Sequence, residues 1–389
     1  MSNTLHVLGF PHTQTDGTYS TCAYTARVIK FCRMMYGGDR KIVLYSGEHN
    51  IAPVDEHVVV VTDEQQARWF APHDENDLNR GGFTGPGAWD QNQPWWLEMN
   101  ARAIGEIRER MDKTDLLCLS QGLSQKLVAD MLPELIVAEI MVGYRGILTD
   151  RKPSPAFAAF ESCSHRAMVY GEKGWQNFPR EGDVVIPNQF DPDELHFDAD
   201  GGDYLLFVGR IIERKGLQYA CAIANALGRK LVVAGPGGKQ PDPHTLVGEG
   251  GVWECDDLEY VGSVGVEERD RLMGGAACVL MPTLYAEPFG GVAVEAMMCG
   301  TPVVTTDFGA FTETVEPGVS GYRFQTLQEA VDATDRAIEL NRGDVRRYAL
   351  DKYSLDAIRP AYERWFGNLD LLWDEGFTKL TPRSETILA

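Results

Sequence analysis

A chain of 389 residues is too long for one ordinary hydrophobic core and predicts two domains of roughly 150–200 residues each. Its 44% apolar and 24% charged residues give the balance of a globular protein, and no apolar run reaches the roughly 18 residues that span a bilayer. The formal charge of −21, with neither half basic, argues against a broad nucleic-acid or anionic-membrane footprint. Met1 to Pro11 lacks the basic start and cleavage site of a signal peptide, so a cytoplasmic location is expected. The eight cysteines are scattered and form no CxxC pair, which predicts buried, reduced thiols.

In chain order, Leu5 to Phe10 reads as a strand, followed by the polar loop HTQTDGTYS and a helix from Thr21 to Met35. Lys41 to Tyr45, Val58 to Thr62, Leu116 to Leu119 and Leu135 to Ile140 are further strands, with a long surface loop from Phe70 to Pro94. In FAAFESCSHRAMVYG, Glu161 and His165 are four apart and predict a shared helical face. The stretch VVIPNQFDPDEL, continuing into DADGGD, reads as a linker. Beyond it the strands Tyr204 to Val208, Lys230 to Ala234, Leu258 to Val261, Cys278 to Met281 and Pro302 to Thr305 alternate with helices, the first from Gly216 to Leu227. Short apolar runs separated by amphipathic stretches indicate parallel sheets covered by helices. The expected fold is α/β, with two Rossmann-like doubly wound domains facing across a cleft. The predicted limits are 1–187, 188–350, and a C-terminal helix and tail, 351–389, packing back toward the first domain.

Two motifs carry chemistry. In EPFGGVAVEAMMCGTPVV, Pro288, Gly290 and Gly291 open a helix that runs through Met298. Glycines at a helix start let a phosphate approach free backbone N–H groups at the positive end of the dipole. Glu287 precedes this helix and Glu295 lies in its second turn. An ionised carboxylate accepts two hydrogen bonds and suits a vicinal diol. In LLFVGRIIERKGLQYA, Gly209 turns the chain at the strand's end and Arg210 and Lys215 follow, well placed for a diphosphate. The strings Asp191-Pro192-Asp193 and Asp198-Ala199-Asp200 have the form of a metal-binding DxD, but inside a linker they read as solvated hinge carboxylates. AGPGGK lacks the spacing of a dinucleotide fingerprint and reads as a donor-side loop.

The ordered series IPNQFDP, FVGRIIERKG, LVVAGPGG, LEYVGSV, the Glu287 motif and GVSGYRF resembles the C-terminal domain of retaining glycosyltransferase family 4, of the GT-B fold. The resemblance implies transfer of a sugar from a nucleotide-diphosphate donor, a UDP-sugar for preference, with retention of anomeric configuration and without metal or cofactor. It maps Arg210 and Lys215 onto the diphosphate, Glu287 onto the sugar and Glu295 onto the ribose. Gly209, Val261 and the backbone of Phe289, Gly290 and Gly291 complete the donor side. The first half resembles the family less. Gly17 stands alone where the family has a glycine pair, and Glu139 lies near the place of its usual histidine. His165 and His12 are further candidates in that half. The implied acceptor is a hydroxyl on a small molecule, a glycan or a hydroxylated base in DNA, and a GT-B nucleotide-sugar epimerase is the neighbouring alternative.

Overall fold

The computed structural model describes residues 3–17, 22–70, 86–141, 156–177, 180 and 182–374. The first sheet contains β1 (Thr4–Leu8), β2 (Lys41–Ser46), β3 (Glu56–Val59), β4 (Leu116–Leu119), β5 (Ile136–Glu139), β6 (Ala156–Phe160) and β7 (Val184–Val185). They lie in the order β3-β2-β1-β4-β5-β6-β7, and every pair is parallel. The second sheet contains β8 (Leu205–Val208), β9 (Leu231–Ala234), β13 (Leu258–Gly262), β14 (Cys278–Met281), β15 (Val303–Thr306) and β16 (Gly321–Phe324). Its order is β13-β9-β8-β14-β15-β16, again parallel. Strands buried on both faces read as continuous apolar runs, and LLCL in β4 and CVLM in β14 are buried at every position. Each sheet reverses strand order once, between β1 and β4 and between β8 and β14. Ligands of open α/β sheets bind at such switch points, beyond the strands' carboxyl ends.

Three features differ from the sequence reading. Strands β6 and β7 extend the first sheet into what reads as a helix and a linker. A small antiparallel unit, β10 (Lys239–Asp242), β11 (Thr245–Gly248) and β12 (Gly251–Glu254), stands outside both sheets and buries Leu246 and Trp253. The loop expected from Phe70 to Pro94 gives way to a 3-10 turn at Pro86–Trp89, and a helix begins at Pro94, while 71–85 lie outside the described residues.

The last described helix, α12 (Leu355–Asp374), returns to the first sheet. Ile358, Tyr362, Trp365, Phe366 and Leu369 recur at helical spacing and are buried in the same core as Val7, Leu44 and Leu117. Just before it, Phe190 N–H donates to Tyr353 O at 2.8 Å and Leu355 N–H to Phe190 O at 3.0 Å. The linker and the start of α12 thus cross between the domains side by side, joined as a short parallel ladder.

Candidate active site

The loops after β8 and β14 meet at the switch point of the second sheet. Gly216 takes φ +80°, and a Cβ there would strike the Pro282 carbonyl, so only glycine lets the two loops approach. Leu284 N–H donates to Arg214 O at 2.8 Å, tying them together. The antiparallel unit braces the first loop from outside, with Glu213 N–H donating to Glu249 O and Glu249 N–H to Ile211 O, both at 3.0 Å. On this frame Lys215 Nζ donates to Glu287 Oε2 at 3.0 Å. Arg210 is exposed and has no ion pair among the described residues.

Helix α8 (Gly291–Met298) starts from Gly290, whose φ is +81° and whose Cβ would come within 2.5 Å of the Phe311 ring. Its N-terminus is left open to the cleft, as an anion site requires. Glu295 lies just over one turn in, and its Oε1 accepts from Arg269 Nη2 at 3.3 Å. Arg269 belongs to α7 (Val266–Gly274). The two motif glutamates therefore each carry one cation.

A cavity of about 990 Å³ runs between the domains and touches Glu287, Phe289, Gly290, Gly291, Glu295 and Gly17. Its opposite wall comes from α1 (Ala23–Met35), where Arg27, Lys30 and Arg33 are three residues apart on one face. None of the three stands alone. Arg27 meets Glu161 Oε1 at 2.5 Å, Lys30 meets Glu194 at 3.2 Å, and Arg33 pairs with Asp191 and Glu194. Asp191 is accordingly buried and salt-bridged, which corrects its reading as a solvated carboxylate. Asp198 instead accepts the Asp200 and Gly201 N–H groups and holds a turn.

The segment holding Glu161 and His165 differs from the expected helix. Glu161 directly follows β6, and Ser162 caps α5 (Cys163–Lys173), accepting from His165 N–H at 2.9 Å. Glu161 thus faces the cavity with Arg27 on one oxygen and Asn188 Nδ2 at 3.2 Å from the other. His165 is turned away from it, buried edge-on to Phe160, with neither ring nitrogen hydrogen-bonded among the described residues. Burial lowers its pKa, favouring the neutral ring. Glu139 is fully buried at the end of β5, and His12 is buried beside Cys22, its Nε2 3.6 Å from the sulfur. Glu139, His165, His12 and Val261 do not line the cavity, and neither do Gly209, Arg210 and Lys215, although Lys215 reaches its wall through Glu287.

The same α5 terminus joins the domains. Ser162 Oγ donates to the Pro288 carbonyl at 2.7 Å, beside Glu287, and the Cys163 and Ser164 N–H groups donate to the Glu313 carboxylate at 2.8 Å. Burial raises the Glu313 pKa, but the Ser164 and Cys163 N–H bonds outweigh it and hold the carboxyl below its ordinary value. The cations on α1, the Ser162 cap and Glu313 were all missed by sequence reasoning; only the three-residue spacing of the cations was there to find.

Residues 202–340 match the family model of glycosyl transferases group 1. The uncharacterized glycosyltransferase MJ1607 of Methanocaldococcus jannaschii is 37% identical over 121 residues, 30% of each chain. The chain spans between 30% and 39% of the length of the curated relatives it matches. Among solved structures, AviGT4, a glycosyltransferase involved in avilamycin A biosynthesis, superposes with a TM-score of 0.58 at 20% identity, covering 95% of this chain and 98% of that one. HepE of Anabaena, solved with UDP-glucose, gives 0.58 at 15% identity, covering 94% and 99%. At these identities the likeness shows the fold, which is GT-B: two Rossmann-like domains facing across a cleft.

Proposed function

We propose that this chain, whose residues 202–340 belong to the glycosyl transferases group 1, moves a sugar from a nucleotide-diphosphate donor to an acceptor hydroxyl with retention of configuration. The observation that carries the reading is the Lys215–Glu287 pair at the switch point, beside the open N-terminus of α8. Replacing a nucleoside diphosphate at the anomeric carbon builds positive charge on the sugar and negative charge on the departing phosphate. Arg210, Lys215 and the α8 N-terminus stabilise the phosphate, while Glu287 orients the sugar and Glu295 holds the ribose. The leaving phosphate takes the acceptor proton as attack proceeds on its own face, so no separate protein base is required. This accords with a buried His165 and Glu139.

The donor is a UDP-sugar in this reading, as in the solved complex of HepE. The acceptor enters along α1, between Tyr24 and Arg27 on one wall and Pro288 on the other. No divalent metal is called for in this reading, because Arg210 and Lys215 are the cations assigned to the diphosphate and Asp191 is committed to Arg33. Thermal denaturation against a panel of UDP-, GDP- and ADP-sugars tests the proposal. One donor should raise the melting temperature by mass action, and a flat panel would remove the reading.

A further inference from the structure

Helices α7 and α8 present matched pairs to the cavity: Val266 and Arg269 one turn apart on the first, Val292 and Glu295 on the second. Glu295 Oε1 accepts from Arg269 Nη2 at 3.3 Å, and its side chain makes no other hydrogen bond or ion pair among the described residues. Both side chains keep some access to the cleft, at 26% and 13% exposure, so a ligand can reach the pair. Of the other charges on α7, Glu267 is an anion on the cavity wall and the rest are engaged elsewhere. Arg271 pairs with Glu268 at 2.6 Å, and Asp270 accepts from His196 N–H at 2.9 Å. Arg269 is therefore the cation that α7 directs at Glu295.

We infer that Arg269 is a positioning residue: it fixes the carboxylate plane of Glu295 so that this residue selects nucleotides bearing both ribose hydroxyls. The inference rests on the donor reading above and extends it to a residue outside both sequence motifs. A glutamate carboxylate turns easily about its last bond, and two hydroxyls on adjacent carbons can be held at once only in one narrow range of that rotation. An arginine on one oxygen sets the rotation and leaves Oε2, with the remaining lone pair of Oε1, for the diol. The same contact offsets the charge of a carboxylate lying in the cavity that must admit a diphosphate.

The test uses the full chain and two probes of the base chosen by the nucleotide-sugar panel: the nucleoside diphosphate and its 2′,3′-dideoxy counterpart. Wild-type protein should bind the diphosphate at least about tenfold more tightly than the dideoxy form. In Arg269→Gln the diphosphate should lose most of that advantage while the dideoxy affinity changes less than about twofold, collapsing the ratio toward one. Arg269→Lys should keep only part of the preference, lacking the planar fork. Combining Arg269→Gln with Glu295→Gln should cost little beyond Glu295→Gln alone. An equal loss for both probes would place Arg269 on the diphosphate or base instead, and an unchanged ratio would leave it no role; either overturns the inference. If wild-type protein bound no nucleoside diphosphate, the donor reading itself would fail, a result distinct from a preserved ratio. A circular-dichroism melt on each variant separates lost recognition from lost fold.

Discussion

Lys215 and Glu287 are ion-paired at 3.0 Å although 72 positions separate them in the chain. The pair puts a donor-loop cation and a motif carboxylate in one contact, so a diphosphate reaching Lys215 must share it with Glu287. Lys215→Ala removes the cation and leaves the carboxylate facing the incoming phosphate, whereas Arg210→Ala removes only an exposed cation. Each should weaken nucleoside-diphosphate binding about ten- to a hundredfold, with Lys215→Ala the larger. Calorimetric titration measures both, and adding Glu287→Gln to Lys215→Ala should recover part of the loss. Unchanged affinity in both single variants would end the diphosphate assignment.

The two glutamates should separate kinetically. Glu287 precedes α8, on the side the proposed donor site gives to the diphosphate's outer end, and Glu295 lies inside the helix beside Arg269. Glu287→Gln should lower kcat while leaving affinity for the bare nucleoside diphosphate within about threefold; Glu295→Gln should weaken that affinity about tenfold. If Glu287→Gln costs as much bare-nucleotide affinity as Glu295→Gln, the division of roles is wrong.

Activity should survive EDTA. Of the aspartates in the two DxD strings, Asp191 is buried against Arg33 and Asp198 accepts the Asp200 and Gly201 N–H groups. Loss of turnover in EDTA, restored by added magnesium or manganese, would contradict this assignment.

Glu313 should couple domain docking to pH. Its carboxyl is held below the ordinary value of 4.5 because the Ser164 and Cys163 N–H bonds outweigh burial. A depressed folded-state pKa contributes stability above the unfolded value, and that contribution is lost as pH falls through the folded one. Glu313→Gln should therefore destabilise the protein by about 0.5–1 kcal/mol at pH 7, the low end for a cap at an exposed site. Melts of both proteins taken stepwise toward pH 3 should converge. A constant gap would mean that the carboxylate's charge is irrelevant.

Legibility in the sequence followed the chemistry of each element. Leu116–Leu119 and Cys278–Met281 were read to the residue because a buried parallel strand must be apolar at every position. AFAAF in β6 escaped because alanine favours helix and the next residues do form one. The four-residue spacing puts Glu161 on a helical face because Ser162 and Ser164 are equally good capping residues, and tertiary packing decides that Ser162 starts the helix after Glu161. The β10–β12 unit has only short alternation, as in Leu246 and Trp253, amid glycines and carboxylates. Glu287 and Glu295 were legible since one motif holds both. Their partners Lys215 and Arg269 come from other elements, and which cation meets which carboxylate is decided by tertiary packing.

The return of α12 to the first sheet has a consequence for synthesis. Val185, in the last strand of that sheet, is made 184 positions before Leu369, which fills its core. At about 5–20 residues per second the interval is on the order of ten to forty seconds. During it the emerging first domain lacks Ile358, Tyr362, Trp365, Phe366 and Leu369 and exposes the apolar face they cover. The second domain meets no such delay for its own core, whose last buried member is Tyr353. Although it is translated later, it is the half able to close first, and the ribosome must carry the other half unfinished until α12 emerges.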